Sequence, residues 1–166
     1  TLSLFGAMFA PRPYEVAKEM VRVTRPGGRI VMGNWIPGDP TLVAQILKIA
    51  AAYSPPPPEG FVSPMAWGVE DEVVERFGTA GIAAEQIGFE RASWNFDYEG
   101  TPEELVGLFH DYYGPTMNAF AAAADRREEL MRAELDALFA AQNRSEDGGT
   151  QIAATFLLVN VTRTYP

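Results

Sequence analysis

One histidine occurs among the 166 residues, within Leu108-Phe109-His110-Asp111-Tyr112-Tyr113-Gly114-Pro115. An imidazole titrates near neutrality, so His110 is the side chain best suited to take a proton from an acceptor hydroxyl, with Asp111, Tyr112 or Tyr113 beside it. The competing reading of a lone histidine is a structural hydrogen bonder. Successive residues do not face each other on a helix, so Asp111 is expected to point away from His110. Other chemistries lack parts. With no cysteine there is no thiolate nucleophile, thiolate metal ligand or disulfide. One histidine with carboxylates on solvated faces makes no metal set, so none is expected. Ser63 and Ser145 have no base at a recognisable spacing, and Asp125-Arg126-Arg127-Glu128-Glu129 reads as a solvent-facing helix surface.

Charge narrows the partners. Against 22 acidic residues stand 13 basic ones, a net −9, which disfavours nucleic acid and anionic membrane surfaces. No apolar run approaches the roughly 20 residues needed to span a bilayer, and no basic lead precedes a cleavable segment. A cytoplasmic protein with a small-molecule partner is the expectation, folded as a single domain over residues 1–166.

The elements that must position these side chains follow from pattern. Leu2 to Phe5 reads as a strand. Pro11 and Pro13 open a helix whose stripes are Val16, Met20, Val23 and Ala17, Val21, Thr24. Arg25-Pro26-Gly27-Gly28 stops it, and Arg29 to Met32, bounded by Gly28 and Gly33, is the next strand. Strand, helix, strand at this spacing is a right-handed crossover between parallel strands. Pro40 opens a second helix with Leu42, Ile46, Ile49 and Tyr53 on one stripe, and Pro55 to Pro58 is extended. Gly68 is expected to cap a third helix, Val69 to Phe77. Ile87 to Tyr98 is a strand whose apolar parity slips between Phe89 and Ala92, which places a bulge or bend near Arg91. Thr101-Pro102-Glu103-Glu104 is a capping box. Its helix breaks at Gly114-Pro115, a second runs through the alanine-rich Phe120 to Ala124, and the charged Asp125 to Arg144 stays helical. Ile152 to Thr162 is a last strand, apolar on both parities at Phe156 to Val159, as an inner strand should be.

The stretch Glu19-Met20-Val21-Arg22-Val23-Thr24-Arg25-Pro26-Gly27-Gly28-Arg29-Ile30 closely resembles the segment that joins the helix after the fourth strand to the fifth strand in class I S-adenosylmethionine-dependent methyltransferases. Leu4-Phe5-Gly6-Ala7-Met8-Phe9-Ala10-Pro11 and Val31-Met32-Gly33-Asn34-Trp35 resemble the flanking strand ends. The likeness is nearest to small-molecule enzymes similar to ubiquinone and menaquinone C-methyltransferases, specific over residues 2–36 and softer through Phe61 to Gly68. It implies an α/β fold, a partial Rossmann-like methyltransferase sheet of parallel strands plus a last antiparallel one, in the order first, second, last, third. Helical lid segments at about 40–67 and 101–147 would leave from the carboxyl edge of that sheet. The implied reaction is methyl transfer to a small, largely apolar acceptor. Ser3, Phe5 and Gly6 would then lie on the cofactor side, and Met8, Phe9, Trp35, Trp67, Tyr112 and Tyr113 on the acceptor side, with His110 as the catalytic candidate. For the single residues, core packing is the competing reading.

The departure from that pattern is as informative. The family's glycine-rich turn and the acidic residue ending its second strand have no counterpart in this sequence; Gly27-Gly28 and Gly148-Gly149 are a helix stop and a loop. The chain therefore reads as a carboxyl-terminal half that does not bind S-adenosylmethionine by itself. Its first strand, stripped of a neighbour, is expected to dimerise with a second copy or to hold the missing amino-terminal half. Two rival readings remain. One is a non-catalytic ligand-binding or lid module. The other is a different Rossmann-like enzyme such as a reductase, for which Tyr14-Glu15-Val16-Ala17-Lys18 has the spacing but sits at the start of a sheet-packing helix.

Overall fold

Leu2–Leu4 forms strand β1 and Arg29–Trp35 strand β2, paired in parallel with Leu2 opposite Val31 and Leu4 opposite Gly33. Helix α1, Pro13–Val23, connects them, as the spacing predicts. Pro13 stands in its first turn, where a missing N–H costs nothing. Of its two predicted stripes, the one with Ala17 and Thr24 is buried and Val23 is exposed. The structure, a computed structural model, describes residues 1–123 and 126–165. Ala124, at the end of the alanine-rich stretch, and Asp125, at the start of the charged one, lie outside the described residues.

The Pro-Gly-Gly turn is held from far along the chain. Gly27 adopts φ 75°, a left-handed conformation that a side chain resists. Its N–H donates to the Arg163 carbonyl at 2.6 Å, and the Arg163 N–H donates to the Gly28 carbonyl at 2.9 Å. The Arg163 guanidinium caps the end of α1 by donating to the carbonyls of Val21, at 2.7 Å, and Thr24.

The remaining strands are β3, Ile87–Tyr98, and β4, Thr150–Thr162. Strand β4 runs antiparallel to β2, from Arg29 opposite Thr162 to Trp35 opposite Phe156. The sheet order is β1-β2-β4-β3. This is the mixed α/β, Rossmann-like arrangement expected from the sequence, with the last strand antiparallel and inside. Along β3, burial moves from Ile87 and Phe89 to Ala92, Phe96 and Tyr98 across the exposed Glu90 and Arg91, so the parity slip is real, and the strand runs through it unbroken.

Contacts divide the chain into two compact units. The first holds Thr1–Pro37, Pro58–Ala92 and the chain from Phe156 on. Ile30, Met32, Val159 and Val161 from the sheet are buried in it, as are Ala17 of α1 and Val73 and Phe77 of α3, which is Glu70–Thr79. The boundary of α3 corrects the expectation for Gly68: Val69 is the cap residue, and Gly68 ends a 3-10 turn, Pro64–Gly68. A Cβ at Gly68 would lie 2.1 Å from the Trp35 carbonyl oxygen. Glycine is needed there for backbone contact with the end of β2, not for capping.

The second unit holds Gly38–Pro57 and Ser93–Thr155. Its helices are α2 (Leu42–Tyr53), α4 (Pro102–Tyr112), α5 (Gly114–Ala122) and α6 (Arg126–Gln142). The capping box closes reciprocally, Thr101 N–H to Glu104 Oε2 at 2.9 Å and Glu104 N–H to Thr101 Oγ1 at 3.3 Å. Phe109 is the hub of an aromatic cluster, its ring 5.6 Å from Phe96, 5.4 Å from Tyr113 and 5.3 Å from Phe139. Tyr53 donates to Glu134 at 2.6 Å, fastening α2 to α6.

Candidate functional site

In the first unit, the carboxyl ends of β1 and β2 gather most of the residues the sequence singles out. Strand β1 stops one residue sooner than expected because Phe5 turns to φ 60°, a conformation costly for a bulky residue and most often kept near functional sites. Its N–H still donates to the Gly33 carbonyl at 2.8 Å. Its ring lies flat on Trp35, centroids 3.9 Å apart and planes 9° off parallel. Phe156 meets both rings edge-on, at 5.2 and 6.2 Å. Phe156 was not singled out from the sequence. Its signal was the doubly apolar centre of the last strand, which places one residue of β4 beside Trp35.

The following turn is self-contained. Ser3 Oγ accepts the Ala7 N–H at 3.0 Å, and Gly6 precedes a 3-10 turn, Ala7–Phe9. A Cβ on Gly6 would meet only Ser3 Oγ, at 3.8 Å. Met8 is buried and Phe9 is 44% exposed. Asn34, beside Trp35, is buried with no hydrogen-bond partner for its Nδ2 among the described residues. An amide in an otherwise apolar strand was the legible sign of it.

Trp67 is 1% exposed and sits in the core rather than at a rim. The Arg76 guanidinium lies 4.7 Å over its ring and Phe77 packs edge-on at 6.1 Å. Arg76 is itself buried. Its Nη2 donates to Glu72 at 2.9 Å, while its Nε and Nη1 and the Trp67 Nε1 have no partner among the described residues. Burial pulls the Arg76 pKa down, opposed by the charges of Glu72, Tyr14 and Glu75. Arg76 shares the Val73–Phe77 stripe of α3, which is how its burial was legible.

The second unit carries His110, Tyr112 and Tyr113 at the end of α4. His110 Nδ1 and Asp111 Oδ1 are 2.5 Å apart, which corrects the expectation that the two point apart. Nδ1 lies close to its own backbone, so a neighbouring carboxylate reaches it around the helix surface. The His110 ring packs edge-on to Phe120 at 4.4 Å. An open cavity of about 590 Å³ adjoins the pair, lined also by Tyr112, Met117, Ala121 and Glu128. Tyr112 is 79% exposed at its rim. Tyr113 turns inward: its hydroxyl is buried with no partner among the described residues, and burial pushes its pKa well above the ordinary tyrosine value. A histidine whose Nδ1 is held by a carboxylate presents Nε2 as a proton acceptor. Among the described residues no group of three or more His, Cys, Asp or Glu could hold a metal ion, and no helix is long and apolar enough to cross a membrane.

Against known proteins, no family model matches the chain. Over 127 residues, 76% of the chain, it is 37% identical to uncharacterized proteins of Mycobacterium tuberculosis and Mycobacterium bovis, covering 44% of each. A second uncharacterized Mycobacterium tuberculosis protein is 30% identical over 135 residues, 81% of the chain and 47% of that protein. The chain spans less than half the length of these curated relatives. Among solved structures, the YcgJ protein of Bacillus subtilis aligns with 99% of the chain and 63% of its own, at 12% identity and a TM-score of 0.46.

Proposed function

We propose that this chain is the acceptor side of an S-adenosylmethionine-dependent methyltransferase acting on a small, largely apolar molecule. The observation that carries the reading is the sheet. A parallel β1–α1–β2 unit closed by Pro26-Gly27-Gly28 is followed by an antiparallel strand inserted between β2 and β3, the order that the resemblance over residues 2–36 implies.

The cofactor does not fit the residues present. Ser3 Oγ is taken by its own turn, the Phe5 ring is covered by Trp35, and Gly6 admits a Cβ without crowding. None of the three forms a backbone cradle for an adenosyl group or an acceptor for a ribose. No step is therefore routed through the cofactor here, and its contacts are assigned to sequence outside this chain.

The chain's own contribution is shape and a base. Phe5, Trp35 and Phe156 form a rigid apolar wall, suited to lie against the flat face of an apolar acceptor. In the second unit, the His110–Asp111 pair is suited to take a proton from a hydroxyl or ammonium group.

The test uses a gene product of the relatives' length that contains this chain. Labelled methyl transfer from S-adenosylmethionine is measured into a panel of phenols, quinols and aryl amines. Transfer to at least one is expected, with Trp35→Ala raising the acceptor KM at least fivefold and leaving cofactor affinity within twofold. Cofactor binding by calorimetry with no transfer to any acceptor would sink the reading.

A further inference from the structure

Strand β3 is twelve residues long and stands last in the sheet order, with no strand beyond it among the described residues. Its middle, Ser93 to Asn95, is exposed, and Trp94 is 62% exposed, whereas Trp35 and Trp67 are buried at 5% and 1%. An open edge with a large apolar side chain at its centre is a template for another strand. Strand β1 is the other edge, but with three residues it offers only a short ladder.

We propose that β3 pairs antiparallel with the β3 of a second copy of this chain, about a twofold axis through Trp94. The charges on the strand select both the partner and the register. In an antiparallel pair related by a twofold normal to the sheet, each residue faces one of the same parity. Centring the axis on Arg91 sets arginine against arginine. Centring it on Ala92 or Ser93 leaves Trp94 opposite Glu90 or Ala92 and leaves Asp97 without a basic partner. Centring it on Asn95 sends Arg91 to Glu99, outside the strand. The Trp94 register places Arg91 opposite Asp97 twice, Ala92 opposite Phe96 twice, and Trp94 against Trp94.

Two of the pieces keep the contacts they already make. Asp97 accepts from Gln151 Nε2 through Oδ1, at 2.7 Å, so Oδ2 is the oxygen that meets Arg91. Phe96 is held from behind by Phe109. The edge ladder brings the two indoles together, an aromatic pairing worth more than its area alone.

Sedimentation equilibrium of this chain tests it, with the emission maximum read in parallel, because Trp94 is the exposed tryptophan. The native chain should be dimeric at high micromolar concentration, and its emission should shift to the blue as it associates. Asp97→Arg, which sets arginine against arginine, should weaken the dimer at least tenfold. Arg91→Glu should do the same while leaving the Asp97–Gln151 bond intact, so that a misfolded Asp97 variant does not decide the matter. The reversed pair Arg91→Asp with Asp97→Arg should restore association. A monomeric native chain overturns the proposal. So does a dimer indifferent to both single substitutions, which would place the contact elsewhere, for instance on β1, and so does failure of the reversed pair to recover.

Discussion

Replacing Arg76 with methionine should leave the protein as stable as before, or more so. Removing this residue loses one charge-assisted hydrogen bond, worth about 1.5–3 kcal/mol. It also loses a cation–π contact with Trp67, worth about 0.5–2 kcal/mol. Against this, the buried Nε and Nη1 have no partners among the described residues, and each such donor costs about 1–3 kcal/mol. Methionine fills similar volume with a flexible apolar chain. The two sides cancel to within about 2 kcal/mol, as is common when a buried ion pair is replaced by apolar groups. Glu72→Ala behaves differently, because it strands the guanidinium. Glu72 is 44% exposed, so the loss should fall below the range for fully buried pairs, at about 2 kcal/mol. Urea unfolding followed by far-ultraviolet circular dichroism and by tryptophan emission reads both. If Arg76→Met costs more than about 3 kcal/mol while Glu72→Ala is milder, the reasoning from unpartnered donors is wrong.

Other expectations are more local. Gly68→Ala should destabilise by about 3 kcal/mol or more, because its Cβ would sit 2.1 Å from a backbone oxygen that cannot step aside; a thermal melt within a few degrees of native would contradict this. Gly6→Ala should leave that melt unchanged, since its Cβ meets only Ser3 Oγ at 3.8 Å. Tyr113, its pKa raised by burial from the ordinary 10.0, stays protonated in the folded chain while the unfolded chain ionises. Its contribution is thus present below pH 10 and fades as pH rises towards the folded pKa. Absorbance near 295 nm should show one tyrosine silent until unfolding, and Tyr113→Phe should gain about 1 kcal/mol by deleting a buried hydroxyl that has no partner among the described residues. Asp147, held below its ordinary 3.8 by the Ser145 hydroxyl and then the Gly149 N–H, should support its turn above that pH and release it as pH falls through the folded value. Carboxyl titration by NMR should place its midpoint below 3.8 and show Ser145→Ala moving it up; a native midpoint at or above 3.8 would refute the assignment.

Periodicity and punctuation made the framework legible. Pro13, the Pro26-Gly27-Gly28 stop and the Thr101–Glu104 box are local devices whose chemistry is complete within a few residues, and the helices they bound formed where expected. The inner place of the last strand was also legible, because Phe156 to Val159 is apolar on both faces. What escaped was set by distant groups. Gly68 looked like a cap until the backbone of Trp35 lay against it, and Phe5 looked like strand until the flat face of Trp35 held it in a left-handed turn. Asp111 was expected to turn away by helical spacing, a rule for side chains that project freely, whereas Nδ1 of a neighbouring histidine is within reach of a short carboxylate.

The position of β4 has a consequence for time. Strand β2 receives its antiparallel neighbour from residues more than a hundred positions later, Arg29 waiting for Thr162, and β3 also depends on that strand. Contacts of such separation slow folding, because loop entropy must be spent before they give any return. During synthesis α1 and the Pro-Gly-Gly turn emerge well before β4, yet the bond that Gly27 donates to Arg163 and the one that Gly28 accepts from it form only afterwards. The nascent chain must therefore carry an open edge on β2 from the time that strand emerges until β4 follows it, the interval in which a chaperone that masks apolar strands would matter most.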